Sequence, residues 1–525
     1  MLGSSTSPSR ADRPSPADRP IRAALVALVV LVLATATDWF RLDPVQRATL
    51  WAEDGRDFVS ADMVDGFGAT LFRPFGGYLQ VVPRLVAAIS STIARPEHLA
   101  QTVTLLSCAV VGAVSALLYL YGRTMLRSPV APFLLAAVPP LIPTAPREAL
   151  GTMNNLHSFL LLLVPVVLLV VPRSWWTSAA TAVLVAVVVL SETQALLFAP
   201  LLLAGIRRRE KWPVAAAFLL AGAAQVVTAV QYPRPSISYG SATPVTFADV
   251  VVGFVTVPLT TVWTTRLGSV GDLISASGMT PIVVLTAVCV AVAVAGIVCG
   301  GVVHRWLVPA TVLGAAALWS AALLVTPSGA FAFTRGVADH VAHFGTIRYA
   351  TVTTGFLLLA LVVTADALWR PGRARGHGPA AGPGAGPTPA SGPSRDGDGD
   401  GDGHSDRDGH SDRDGHGHSH GHSHRDGNGD RDRGRDHDRG RGLTWVPRGA
   451  AVVVALAVVV PLVGNVRDSG HASFADGPTI TSQVPAARAS CAGRQADDRG
   501  TVLLRQSPDR SPWTVTLTCA YLQRH

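Results

Sequence analysis

Residues 281–303 form an unbroken apolar run with no charged side chain. A helix of about 20 such residues crosses a ~30 Å hydrocarbon layer, and the chain repeats runs of this kind from end to end. That repetition, more than the 49% hydrophobic content, constrains the fold, because soluble architectures reach the same fraction without so many uncharged runs. The expected fold class is an all-α polytopic membrane protein of about 11 transmembrane helices. The expected spans are 21–37, 99–121, 130–145, 157–171, 176–190, 195–206, 213–230, 281–303, 307–325, 349–368 and 450–463.

Charge orients the threading. Arg207, Arg208 and Arg209 form the strongest basic cluster beside a span, and Arg370, Arg373 and Arg375 follow another. Basic residues stay on the cytoplasmic side, so the net charge of +8 reads as orientation and gives no reason to expect a nucleic-acid partner. The domain reading has a disordered cytoplasmic N-terminus (1–20) and a transmembrane core (21–370) with outer loops 38–97, 146–156, 231–280 and 326–348. After these come a linker (371–447), a last span (448–466) and an extracytoplasmic tail (467–525). Residues 81–93 read as an interfacial helix, and 247–262 as an outer-face helix or re-entrant segment, since a span there would put the later arginines outside. Ala34-Thr35-Ala36 resembles a cleavage site after the first span, and with or without cleavage the acidic loop begins outside.

The linker is low-complexity, built of Gly, Pro, Asp, Arg, His and Ser, and composition predicts disorder. His416, His418, His420, His422 and His424 in it are metal-ligand types, but the spacing and flexibility predict weak binding; the reading assigns no metal site and leaves a divalent metal open. The tail holds two alternating β-branched stretches, 501–504 and 513–517, which read as short strands. Cys491 and Cys519 bracket them and can pair in an oxidising compartment. Cys108, Cys289 and Cys299 lie in apolar runs and read as small packing residues.

The chemistry-bearing residues gather on outer loops. Trp51-Ala52-Glu53-Asp54-Gly55 follows the first span. Adjacent carboxylates repel, which raises one pKa toward a useful range, and either Glu53 or Asp54 suits a general base; a helix cap is the plainer alternative. Arg73 and Arg84, in the same loop, suit either interfacial anchoring or a lipid-linked phosphate, whereas Tyr78 reads as an anchor. Glu148, Asn155 and His157 form a second polar group, and Glu192 must find a partner at its depth. Arg348 and Tyr349 open a late span, where Arg348 suits a donor phosphate or a headgroup. No phosphate-binding glycine loop, dinucleotide fingerprint, serine-hydrolase elbow or zinc-protease motif occurs.

Together, Trp51-Ala52-Glu53-Asp54-Gly55, Gly77-Tyr78, Pro83-Arg84, Asn155-Leu156-His157 and Arg348-Tyr349, with the closing 513–519 pattern, resemble the GT-C superfamily of integral-membrane glycosyltransferases, in particular polytopic members of actinobacterial type. The resemblance implies transfer of a hexosyl or pentosyl unit from a polyprenyl-phosphate sugar donor to an envelope glycan, lipid or protein acceptor at the outer face of the plasma membrane. It implies Glu53 or Asp54 as base, Glu148 as its assistant and Arg348 as donor-phosphate ligand. A transporter or flippase would call for internal repeats or charges deep in several spans; the sequence has no clear repeat. A non-catalytic membrane scaffold stays open.

Overall fold

The computed structural model describes residues 18–234, 244–369, 445–464, 478–493, 500–509 and 513–524. The part described is a helical membrane protein with a small two-stranded sheet near its C-terminus. Six helices are long and apolar enough to cross a bilayer: Pro20–Arg41, Pro96–Met125, Arg209–Gln231, Thr280–Cys299, Val302–Val325 and Ile347–Leu368.

The other five expected spans are shorter. Residues 130–145 give Ala131–Leu141, stopped at Pro139-Pro140, and 157–171 give Leu156–Leu161 and Val164–Leu169, broken ahead of Pro165. Proline removes a backbone donor and crowds the preceding turn. Residues 176–190 form Trp175–Val189, and 195–206 coil into the tighter helix Thr193–Leu203 around Pro200. The last is Trp445–Gly464, whose apolar stretch is Gly449–Gly464. The helices Val81–Ile93 and Phe247–Thr256 form where they were expected.

Ile347–Leu368 is the axis of the bundle. Nearly all of its residues are buried, against Val302–Val325, Thr280–Cys299, Ala131–Leu141 and Trp445–Gly464. Thr280–Cys299, by contrast, fully buries only Ile282 and Gly296; one face, with Leu285, Cys289 and Ala293, packs on the bundle, and Val283, Val284, Val290 and Val298 face outward, as on a lipid-facing helix. Asp18–Arg41 lies along Leu99–Met125. A Cβ at Gly112 would sit 2.7 Å from the Leu31 carbonyl oxygen, so the close approach of these two helices needs glycine there.

Polar contacts fix both ends of the axis. At one end Asp366 accepts the N–H groups of Arg127 (2.9 Å) and Ser128 (2.6 Å), and His304 Nε2 lies 2.8 Å from its second oxygen. Gly301 N–H donates to His304 Nδ1, so Nε2 carries the proton and donates to Asp366. Lys211, fully buried, caps the Val170 carbonyl at 2.7 Å, and Ser178 donates to the Glu210 carbonyl. Eighteen residues away, at about 1.5 Å each, the start of the axis carries Arg348, and around it the outer-loop residues assemble.

The tail folds as helix Ile480–Cys491, strand β1 (Thr501–Arg505), strand β2 (Thr514–Thr518) and helix Cys519–Arg524. The strands are antiparallel, pairing Thr501 with Thr518 through to Arg505 with Thr514. Val515 and Leu517 alternate inward as a half-buried strand requires. A disulfide joins Cys491 to Cys519, with Cα atoms 5.4 Å apart.

Candidate active site

The acidic motif is a tightly held turn. Trp51 and Ala52 are buried, and Ala52 has φ +36°, a left-handed conformation that costs a non-glycine residue about 1–2 kcal/mol. The chain then enters a widened helical turn, Asp54–Val59, in which Ser60 N–H reaches back five residues to Gly55. Such π-type turns recur at functional sites.

The two carboxylates of this turn have different surroundings. Asp54 is 2% exposed, and its oxygens accept the N–H groups of Met153 (3.0 Å) and Asn154 (2.8 Å). It therefore staples the first outer loop to the second. Burial pushes its carboxyl up to about 8; the two amides pull it down by less, and the Glu53 charge adds to the rise. Glu53 is half-buried, and its Oε2 is buried with no hydrogen-bond partner among the described residues.

Glu148 and Arg348 meet beside them. Glu148 Oε1 lies 3.1 Å from an Arg348 guanidinium nitrogen, and the Arg348 N–H approaches Oε2 at 3.3 Å. Burial raises the Glu148 pKa. The Arg348 charge and amide lower it, and Glu53 raises it again, which places the Glu53 charge within electrostatic range of the pair. The three residues thus share one neighbourhood at the start of the axial helix. Asn155 donates to the Glu148 carbonyl (3.1 Å) and to Thr152 Oγ1 (2.9 Å), holding the loop that presents Glu148.

His157 and Glu192 form the next shell of charge. His157 Nδ1 donates to the Asn154 carbonyl at 2.5 Å, the same peptide unit's neighbour to the amide that binds Asp54. Its Nε2 faces Glu192 at 3.7 Å. Glu192 is 3% exposed, and burial raises its carboxyl while His157 and the Gln194 N–H lower it. Tyr78, expected as an interfacial anchor, stands edge-on to His157 with centroids 6.3 Å apart. Burial and Glu192 raise its hydroxyl, and Arg234, Gln80 and Arg348 oppose them, so Tyr78 belongs to this charged group. Gln225, wholly buried, grips both the N–H and C=O of Leu79 and so fixes the Tyr78 segment.

The other sequence candidates stand apart. Arg84 is buried, donates to the Asp57 carbonyl at 2.6 Å and lies 4.7 Å over the Phe58 ring, so it braces the back of the acidic turn. Arg73 pairs with Asp65 at 2.7 Å on the exposed surface. Tyr349 is the exception: it packs against Phe331 and its hydroxyl meets Thr326, but the Arg348 guanidinium lies 5.5 Å over its ring. His416, His418, His420, His422 and His424 lie outside the described residues. Among the described residues no group of three or more His, Cys, Asp or Glu side chains is arranged to hold a metal.

Sequence reasoning left Glu192 without a partner and took Tyr78 as an anchor. The depth of Glu192 was the available signal, since a carboxylate so placed needs a cation or a hydrogen bond. Gln225 and Gln506, both fully buried amides, carried no signal in the sequence.

No family model matches the chain, and neither a curated protein nor a solved structure matches it.

Proposed function

We propose that the protein is a membrane glycosyltransferase that moves a sugar from a polyprenyl-phosphate donor to an acceptor hydroxyl at the extracytoplasmic face. The observation that carries this reading is the buried, unpartnered Glu53 carboxylate oxygen close to the Glu148–Arg348 pair. A base with a free oxygen and a held guanidinium are the two groups such a transfer needs. Glu53 takes the acceptor proton as the acceptor oxygen bonds to the sugar's anomeric carbon. The bond from that carbon to the lipid phosphate breaks, and its electron pair leaves with the phosphate. Glu148 holds one side of the Arg348 fork and leaves the rest for phosphate oxygens, where an always-charged planar donor stabilises developing charge. Asp54, closed off by two amides, keeps the two loops in register.

The same assignment supports more crossings than the six long helices alone. Residues 128–148 run from the Asp366 end to the Arg348 end, and 154–170 run back to Lys211. Residues 178–192 run from Glu210 to His157, and 194–206 return to Trp212. Short or broken helices are tolerated at membrane depth where protein surrounds them. With Trp445–Gly464 these segments would bring the count to about eleven, and on this reading the acidic turn and the tail lie on the face opposite the arginine cluster 207–209.

Transfer of labelled sugar from a polyprenyl-phosphate hexose or pentose in membranes tests the reading. Glu53→Gln keeps the shape, removes the base and should lower transfer by ~10²–10⁴-fold. Arg348→Lys should raise the donor KM more than the acceptor KM. A wild-type rate in Glu53→Gln rejects the assignment.

A further inference from the structure

We propose that the C-terminal tail is a clamp that sets the geometry of the acidic turn, with Gln506 its main positioning residue; the catalytic part of this rests on Glu53 acting as base. The tail does not hang free of the membrane core. Ser507 C=O accepts the Ala52 N–H at 2.6 Å, and Ser507 N–H donates to the Leu50 carbonyl at 3.1 Å. The Gln506 side-chain amide donates to the Ala52 carbonyl. Both peptide groups of the left-handed Ala52 are therefore held by two consecutive tail residues, one position before Glu53. A rare backbone conformation persists only where its surroundings over-determine it, and here the tail supplies those surroundings.

The grip continues through the turn. A Cβ on Gly55 would lie 1.7 Å from Gln506 Oε1, so glycine at this position lets the tail seat. Arg56 stacks 4.1 Å over the Trp513 ring while pairing with Asp57. Thr516 N–H donates to Ser60 Oγ at 2.7 Å, and Ser60 Oγ donates to the Gly55 carbonyl.

The clamp is itself anchored. Gln483 exchanges two hydrogen bonds with the Arg505 backbone, each 2.8 Å, at the residue just before Gln506. Its helix is tied to the far end of the same outer loop by Arg488–Glu97 (2.6 Å) and by Thr481 to the Glu97 carbonyl (2.6 Å). Tyr521 donates to the Ala94 carbonyl, and the disulfide closes helix Ile480–Cys491 onto the end of β2. The tail thus holds the first outer loop at residues 50–60 and again at 94–97. A segment that merely covered the surface would not reach two separate parts of the loop and the left-handed Ala52.

The test uses the full chain in detergent, with hydrogen exchange of the amides in the peptides covering Ala52 and Met153-Asn154. The latter two amides bind Asp54 and touch no tail residue in the contacts above, so they report the turn and not the tail. Gln506→Ala and Gln483→Ala should raise their exchange by about two- to tenfold, the range of one lost hydrogen bond. They should also lower the rate of transfer from a polyprenyl-phosphate hexose or pentose with little change in donor KM. Adding Ala52→Gly to Gln506→Ala should recover part of both losses, because glycine adopts the left-handed turn without the Cβ penalty; a general folding defect would not be recovered this way. Unchanged exchange at Met153-Asn154 in both variants overturns the clamp, whatever happens to transfer. Raised exchange in a protein whose wild type transfers neither donor upholds the clamp and discards the glycosyltransferase reading alone.

Discussion

Glu53 and Asp54 are adjacent in sequence and opposite in circumstance. Asp54 has both oxygens occupied and is almost wholly buried, whereas Glu53 keeps one oxygen unoccupied. The difference has a consequence in pH. The folded-state pKa of Asp54, about 8, lies above the value of ~4 that an unfolded chain would give. The folded protein therefore holds a proton that the unfolded chain has lost, and the stability this contributes is full below about pH 4 and disappears as the pH rises through 8. Thermal unfolding in detergent should show the midpoint falling between pH 5 and 9, and Asp54→Asn should remove that part of the slope. Parallel curves for the two proteins would show that burial does not dominate at Asp54. The sequence made the pair visible as a candidate but could not divide its roles, because the division depends on Met153 and Asn154, about a hundred residues away. The same limit hid the Tyr78–His157–Glu192 grouping, whose members come from three separate loops.

The elements differ in how well their sequence announces them. The tail strands were legible to within a residue, since Thr, Val and Leu alternate in Thr501–Arg505 and Thr514–Thr518 and β-branched residues suit a half-buried pleat. The pairing of Cys491 with Cys519 was legible too, because these two cysteines share the polar tail. The docking of this unit on Trp51–Ser60 was not, since Gln506 and Ser507 look like ordinary loop residues until the Ala52 backbone is seen between them. Helix continuity was overestimated at Pro139-Pro140, Pro165 and Pro200, though not at Pro309, which Val302–Val325 accommodates; hydropathy cannot register a missing N–H. The disulfide closes a loop with a sequence separation of 28, and a cross-link of that size stabilises by about 3.5 kcal/mol. Cys491→Ser/Cys519→Ser should accordingly make helix Ile480–Cys491 protease-sensitive while the core helices stay resistant. Equal protease resistance of the tail in the variant and the wild type would show that the hydrogen bonds to Glu97 and Ala52 hold it unaided.

At the scale of the whole molecule, the charged groups sort to the two ends of one buried axis. Asp366 and His304 brace one end, and Glu148 and Arg348 mark the other. The proposed topology puts these ends on opposite sides of the membrane. Cysteines introduced at the exposed Ser277 and Thr124 should then differ: a membrane-impermeant maleimide applied to intact cells should label Ser277→Cys and leave Thr124→Cys untouched until the membrane is broken. Labelling of Thr124→Cys in intact cells would invert or dismantle the threading. The membrane class was legible from uncharged runs alone, but the number of crossings was not, because five of the expected spans form apolar helices shorter than the six that are long enough to cross a bilayer. The reach of residues 500–518 back to residues 50–60 bears on the order of assembly during synthesis. The acidic turn leaves the ribosome well ahead of the residues that hold Ala52, since Gln506 follows it by 454 positions. A nascent chain interrupted after Gly464 would have inserted its helices and would still lack a set turn. The acidic turn therefore reaches its held geometry only after the tail that grips Ala52 has been made.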